Sequence, residues 1–577
     1  MIFSENAPNG HFVGDLLVFN GLEQGGSVSK GFLFEPPDLA NAPVEELNAF
    51  QDQLSVLLAS LADSQRLQIQ WYCDSDYQAE LLRYYEETQQ AENEWTRRNR
   101  NERFERYWTA MQERKLRRQK LILYISRPLR NSVPFVATNG QQHKANQYLL
   151  EQLEQEFRQL QETLVAIFGS GGGRITPMTA RDHYQHYRRF LNPSVAKQFQ
   201  PPPDDLFDPM LSLQENCWHG EALGLDGVGL WMDGNYHSLL VLSRWPRMTF
   251  PGIIQRLTDL SLLDYTITVN IDPIPVRGEI SKEEKAHDRV AGDYASEKKV
   301  SLLSVMRKKQ KKIGALMEGH TLPFNALFVV RVWDESREGL NAKTVAIKNA
   351  INGMNSAQFF ETSLPATTKK LFYQTWPGWL WGKYECRKLY AEHQYLADML
   401  PISATFTGHL ATAEALYDGN AGNLIGVKTF SGSEGNESPQ HAVMLGMSGA
   451  GKSVNMCDLL TQTELYYDYT VLIEEGLSYG VYTQTVAPEA QPIILQPDGT
   501  LTINYLDTSG LPLTPLQLSS ATALVARMVG FSRDEDKQML RQAQISRYLG
   551  QLYEDAYQEW ANRHPEKIPV VARHAFA

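Results

Sequence analysis

The stretch His441-Ala-Val-Met-Leu-Gly-Met-Ser-Gly-Ala-Gly-Lys-Ser453 constrains this chain more than any other. From Gly446 to Ser453 it reads G-x-x-x-x-G-K-S, after the apolar run Ala442–Leu445 and before a segment, Ser453 to Leu465, whose pattern predicts a helix. Strand, glycine loop and helix in that order make a phosphate-binding loop. The backbone of Gly446, Ser448, Gly449, Ala450, Gly451 and Val454 would turn its N–H groups toward phosphate oxygens, and Lys452 would bring a mobile positive charge to the β/γ-phosphates. Ser453 is the predicted Mg²⁺ ligand. A Gly/Ser-rich turn that matches by chance is the bland alternative, and the flanking strand and helix patterns argue against it.

Beyond the loop, Thr470–Ile473 is a β-like run that ends in Glu474 and Glu475. Two readings of that acidic pair stay open. The carboxylates orient water and Mg²⁺ for attack on a γ-phosphate, or they end the neighbouring strand and line the site, because strand ends at a switch point are where α/β ligands bind. Pro515–Gly530 and Arg533–Arg563 then read as helices. A second acidic strand, a sensor residue and an arginine finger are missing from the sequence, which predicts a nucleotide domain incomplete at its C-terminal end and weak turnover by this chain alone.

About 440 residues precede the loop, so 577 residues should hold about three or four domains. Cys73, Cys217, Cys386 and Cys457 lack C-x-x-C spacing, which points to a reducing compartment without a disulfide framework. No signal peptide and no apolar run long enough to span a bilayer is read. A net charge of −12 gives no support to wrapping nucleic acid over the whole surface.

Two α+β units are predicted, 1–197 and 206–400, split at the Pro-rich Gln198–Asp205, with the nucleotide domain at 401–577. Both units carry the order strand, helix, strand, long charged helix, strand, helix. In the first these are Gly31–Phe34, Pro43–Ala62, Leu67–Tyr72, Tyr77–Lys120 as one or two extended helices, Leu121–Ile125 and Asn146–Phe168. In the second they are His237–Ser243, Pro251–Leu262, Tyr265–Ile271, Lys282–Met317, Ala326–Val332 and Leu340–Asn352, so a duplicated unit is expected. Both long helices are basic, with ten Lys/Arg between Arg97 and Lys120 and the cluster Arg307–Lys312 in the second. A contact with nucleic acid, anionic lipid or an acidic partner competes there with a solvated helix face laced by i,i+4 pairs. His183 and His186 have metal-ligand spacing without a third ligand nearby. Gly169–Gly173 reads as a helix cap and hinge, and Trp376–Trp381 as packing or a base-stacking platform.

The ensemble resembles the large cytoplasmic ATPases of type IV secretion and conjugative transfer systems, relatives of the FtsK/HerA translocases. It rests on Tyr236–Pro246 with Pro251-Gly252, Leu396–Pro401, the loop Gly446–Ser453 and Ile473–Tyr479. Asn504-Tyr505, where many members have Asn-Pro, points to a divergent branch such as the Dot/Icm or I-type conjugation group. The resemblance implies an α/β fold: an N-terminal α+β region, then a RecA-like P-loop domain with a helical insertion at 515–563. It implies ATP and Mg²⁺ as cofactors, Lys452, Glu474 and Glu475 as catalytic residues, and a homo-hexamer. It also implies inner-membrane secretion subunits and other secretion ATPases as partners, and a cytoplasmic place at the inner membrane. Two other readings remain: a scaffold whose nucleotide domain is structural or regulatory, and a DNA translocase working through the basic helices.

Overall fold

The computed structural model describes residues 8–563 apart from 9, 20–25, 38, 40–41, 130–138, 170–171, 195–206, 219–223, 227–228, 363, 382–387, 403–404, 431–440, 477, 492, 496–503, 508–512 and 531. The Pro-rich Gln198–Asp205 and Cys386 therefore lie outside the described residues.

Two runs of elements follow one plan. The first comprises Gly10–Val13 (β1), Leu16–Phe19 (β2), Ser27–Glu35 (β3), the helix Val44–Ala59 (α1), Arg66–Asp74 (β4), the helices Gln78–Gln89 (α2) and Glu94–Gln112 (α3), Arg118–Pro128 (β5), the helix Asn139–Gly169 (α4), Arg174–Pro177 (β6) and the helix Ala180–Leu191 (α5). The second, after the helix Leu213–Cys217 (α6), comprises Gly224–Asp226 (β7), Gly229–Met232 (β8), Asn235–Arg244 (β9), the single turn Gln255–Thr258 (α7), Tyr265–Pro273 (β10), the helices Val276–Glu297 (α8) and Val300–Met317 (α9), Pro323–Asp334 (β11), the helix Arg337–Asn352 (α10), Gln358–Glu361 (β12) and the helix Pro365–Gln374 (α11).

These strands form one antiparallel sheet in the order β1-β2-β3-β5-β4-β10-β11-β9-β8-β7, with β6 on β3, β12 on β9 and Leu389–Glu392 (β13) on β11. Outward from the centre, β4-β5-β3-β2-β1 is matched by β10-β11-β9-β8-β7. The short strands β6 and β12 pair with the equivalent strands β3 and β9. The repetition of element order is thus also a repetition of pairing, and the halves meet through β4 and β10, Ile69 opposite Val269.

Alternation explains the two faces. Leu67, Ile69, Trp71 and Cys73 of β4 lie beside Tyr265, Ile267, Val269 and Ile271 of β10 in one core, under Phe50 and Leu57 of α1, Phe157 and Leu164 of α4, and Ile347 of α10. Each such buried side chain contributes about 1.5–3 kcal/mol. The intervening residues are polar at the centre of the sheet, and they hold the aromatic turn. Gln68 donates to Trp376 O at 3.1 Å and accepts from Gly378 N at 2.8 Å, and Gln70 donates to Thr375 O at 2.8 Å. Trp376 is fully buried among Tyr187, Phe190 and Phe372, so here packing is the role of the aromatic stretch. His183 and His186 pack on the same face. Burial pushes both imidazoles down to about 3, and His186 Nε2 bonds Gln70 Oε1 at 2.9 Å. Among the described residues no group of three or more His, Cys, Asp or Glu is placed to hold a metal.

Four expectations are corrected. Tyr77–Lys120, expected as one or two helices, holds two, but with narrower bounds: Asn93 caps α3 by accepting from Trp95 N and Thr96 N, and Arg118 to Lys120 already belong to β5. Lys282–Met317 breaks at Lys298, whose φ of 51° reverses the chain so that α8 and α9 pair as a hairpin. Pro251–Leu262 keeps only α7, because Gly252 at φ 86° turns the chain. The fourth concerns 401–482. After the helix His393–Asp398 (α12) this region adds a two-stranded antiparallel sheet, Ala415–Asp418 (β14) with Leu424–Val427 (β15), and the helix Lys452–Thr463 (α13). Ala442–Leu445 and Thr470–Ile473 are not strands; Val443 is 81% exposed and Ile473 96%. Strands of a parallel sheet are stable when neighbours and covering layers satisfy both edges and both faces, and none pairs with these runs among the described residues.

Thr483–Ala577 forms a second compact unit, built on the helices Pro515–Val529 (α14) and Glu535–Arg563 (α15). Ala521, Thr522 and Ala526 of α14 and Leu549, Tyr553 and Ala561 of α15 are buried. Among the described residues no helix is long and apolar enough to cross a membrane.

Candidate functional site

The glycines of Gly446–Ser453 stand where a side chain would be strained or crowded. Gly449 and Gly451 have φ of 79° and 82°, in the left-handed region, and a Cβ on Gly446 would lie 3.2 Å from Lys452 Cγ. Gly451 is the N-cap of α13, and Asn455 N donates to Gly451 O at 2.9 Å. The amides of Lys452, Ser453 and Val454 fall in the first helical turn, where no intrahelical acceptor exists. Lys452 folds back over the loop, and its Nζ donates to Gly446 O and Met447 O at 2.9 Å each. Ser453 is exposed at the second helical position. A helix N-terminus, exposed amides and one ammonium form a cradle for an anion of phosphate geometry, and the Ser453 hydroxyl is available to a hard cation beside it.

The loop residues and Lys452 thus come together, while the acidic pair divides. Glu474 turns onto its own chain and accepts from Ser478 N and Tyr479 N. It also lies close enough to α13 to act on Cys457, whose thiol is raised first by burial and then by the Glu474 carboxylate. Glu475 is exposed.

The sequence reading missed what holds α13. Its inner side faces α3 of the N-terminal sheet region. Arg100 is fully buried, lies 3.9 Å from the Tyr84 ring centroid, and donates to Glu414 O at 2.7 Å, Thr88 Oγ1 at 2.9 Å and Gln462 O. Arg103 pairs with Asp458 of α13 and donates to Leu416 O at 3.2 Å. Gln462 accepts from Tyr84 Oη at 3.1 Å and Leu416 N at 2.9 Å. The available signal was the alternation of Arg97–Arg118 cations with Phe104, Tyr107 and Trp108, a composition suited to a buried polar interface as much as to a ligand.

Most cations of the same stretch that invited a nucleic-acid reading are engaged within the molecule, Arg97 being exposed. Arg114 pairs with Asp264, Arg118 with Glu80, Lys115 with Glu113, and Arg117 donates to Thr258 O at 3.2 Å.

No curated protein matches the chain. Residues 22–257, from ahead of β3 into α7 and short of the loop at Gly446–Ser453, match the family model described as TraC protein.

Proposed function

We propose that Gly446–Ser453 binds ATP and that the chain is an ATPase subunit of a type IV secretion or conjugation machine, driving pilus assembly or substrate transfer. The observation that carries the site is Lys452 Nζ folded onto Gly446 O and Met447 O at the N-terminal end of α13. Two carbonyl oxygens hold the ammonium where the β/γ-phosphates would replace them, and a phosphate is the stronger acceptor. The Ser448, Gly449, Ala450, Gly451 and Val454 amides complete the cradle, Ser453 would hold Mg²⁺, and Glu474 and Glu475 supply the acidic side of the site. In this reading 401–577 contributes to a RecA-like domain, and the protein works as a homo-hexamer with inner-membrane secretion subunits and other secretion ATPases at the cytoplasmic face. The TraC match over 22–257 supports the choice of machine.

The test is binding of a fluorescent ATP analogue with Mg²⁺ to the full chain and to Lys452→Ala. The variant should bind at least about tenfold more weakly, since a charge-assisted phosphate contact is lost; equal affinity would remove the site assignment.

A scaffold reading draws on one observation: the family match lies wholly outside the loop, in the sheet region. It predicts that Lys452→Ala complements transfer in cells as well as the native chain does. Loss of transfer with intact assembly would favour the ATPase.

A further inference from the structure

We infer that the hairpin α2–α3 is a strut that orients the phosphate-loop helix, with Arg100 and Arg103 as positioning residues that couple the nucleotide site to the N-terminal sheet. The inference rests on the nucleotide reading of Gly446–Ser453. Apart from the 3-10 turn Glu464–Tyr466 that continues it, α13 packs chiefly on α3 and β14. The loop at its front end is exposed, as is the chain on either side. The direction in which the N-terminal amides of α13 point is therefore set from behind.

The contacts at the back suit that task. Arg100 donates to Gln462 O in the last turn of α13, where carbonyls have no intrahelical partner and a positive charge complements the helix dipole. Arg100 also donates to Tyr466 Oη at 3.3 Å, and Tyr466 donates to Glu87 Oε2 of α2 at 2.6 Å, so both helices of the hairpin grip the end of α13. Asp458, paired with Arg103, accepts from Gln462 Nε2 at 2.9 Å one turn along, which fixes the helix in rotation as well as in depth.

At its other end the hairpin is anchored. It is inserted between the central strands β4 and β5. Arg118 holds Glu80 and donates to Asp76 O at 2.7 Å, Ser75 Oγ donates to Met111 O at 3.1 Å, and Arg189 of α5 pairs with Asp76. Tyr77, Tyr84, Tyr107 and Met111 of the hairpin region share a core with Leu410, Leu416 and Leu424 around β14 and β15. A shift of the sheet relative to β14–β15 is thus transmitted to α13 through packed side chains. By linkage, a ligand at the loop acts back on the hairpin to the same extent.

The experiment measures, on the full chain, affinity for a fluorescent ATP analogue with Mg²⁺ and hydrogen–deuterium exchange of 446–456. Arg103→Ala, Asp458→Arg, the exchange of charges Arg103→Asp with Asp458→Arg, and Lys452→Ala are compared. Arg103 is used because it is partly exposed, and exchange in β4, β5 and β10 reports whether the sheet is intact. Arg103→Ala should weaken binding by about tenfold, a coupling within the range of contacting residues, and should raise exchange in 446–456 with the sheet unchanged. The exchange of charges should restore both. Unchanged affinity and unchanged exchange in Arg103→Ala overturn the strut. If Lys452→Ala leaves binding intact while Arg103→Ala still loosens 446–456, the nucleotide reading fails and the mechanical coupling stands. If Lys452→Ala abolishes binding while Arg103→Ala changes neither readout, the coupling alone fails.

Discussion

The hairpin α2–α3 runs between β4 and β5, and the hairpin α8–α9 runs between β10 and β11, the equivalent places in the two halves of the sheet. Both are rich in cations. In α2–α3 guanidinium groups leave their own hairpin: Arg100, Arg103 and Arg106 reach Gln462, Asp458 and Asp418, while Arg98 pairs with Glu102 within α3. In α8–α9 the ion-pair partners are internal, although Lys312 also reaches beyond the hairpin, lying 3.9 Å from the Tyr390 ring centroid of β13. Lys309 pairs with Glu283, Lys312 with Glu279 and Glu283, and Arg307, Lys308 and Lys311 are exposed. One topology has therefore produced a docked strut and a projecting arm. Side-chain chemistry contributes to the difference. Arginine's planar fork satisfies several carbonyls at a buried interface, whereas a lysine presents a single ammonium at the end of a flexible stem.

The contrast can be broken in order of expected effect. Arg100→Ala should cost about 3–5 kcal/mol in urea unfolding of the sheet unit, because it strands buried carbonyls at Glu414 and Gln462 and leaves a cavity under Tyr84. A loss below about 0.5 kcal/mol would mean that α2–α3 is as loosely held as a surface arm.

In α8–α9, Glu283→Gln should cost about 1 kcal/mol or less, seen as faster amide exchange confined to 276–317. The same segment reports pH. Partial burial raises Glu283, but hydrogen bonds from Lys309 and Lys312 outweigh it and leave the carboxyl below its ordinary value of 4.5. A carboxylate with a depressed folded pKa contributes stability above that value and loses it as pH falls through the folded pKa. Exchange in 276–317 should accordingly rise on acidification below about pH 4.5 in the native chain, with a smaller rise in Glu283→Gln. Equal acid responses would remove the internal pairs as the arm's support.

The smallest effect on stability belongs to Arg307→Ala, Lys308→Ala and Lys311→Ala combined, within about 0.5 kcal/mol. If the arm is where the chain meets DNA, that variant should flatten the salt dependence of binding by about 0.9 per cation, and an unchanged slope would exclude these side chains from the contact.

Much of the sheet was legible because alternation is local. Leu67-Gln-Ile-Gln-Trp-Tyr72 and Tyr265-Thr-Ile-Thr-Val-Asn-Ile271 announce strands with one apolar face, and both are central in the sheet. The break at Lys298 was not legible. A lysine in the left-handed region carries no side-chain signature, while Gly278, Gly292 and Gly314, the residues that would suggest breaks, lie inside helices. Ala442–Leu445 and Thr470–Ile473 read as strands because they are apolar, but a strand is a relation between chains and needs a hydrogen-bonding neighbour.

What the sequence determined by itself is the glycine loop Gly446–Ser453 ahead of a helix and the order of elements: glycine geometry, lysine placement and hydrophobic period act over a few residues, so they can be read in a line. Which cations are docked and which are free was decided by tertiary structure. The acceptors of Arg100 at Glu414 and Gln462 lie 314 and 362 residues along the chain, and only burial of the two together makes that guanidinium part of the support for Gly446–Ser453. A charge in a sequence has no partner until folding removes water from around it, and the energy that distinguishes a strut from a solvated arm arises at that step.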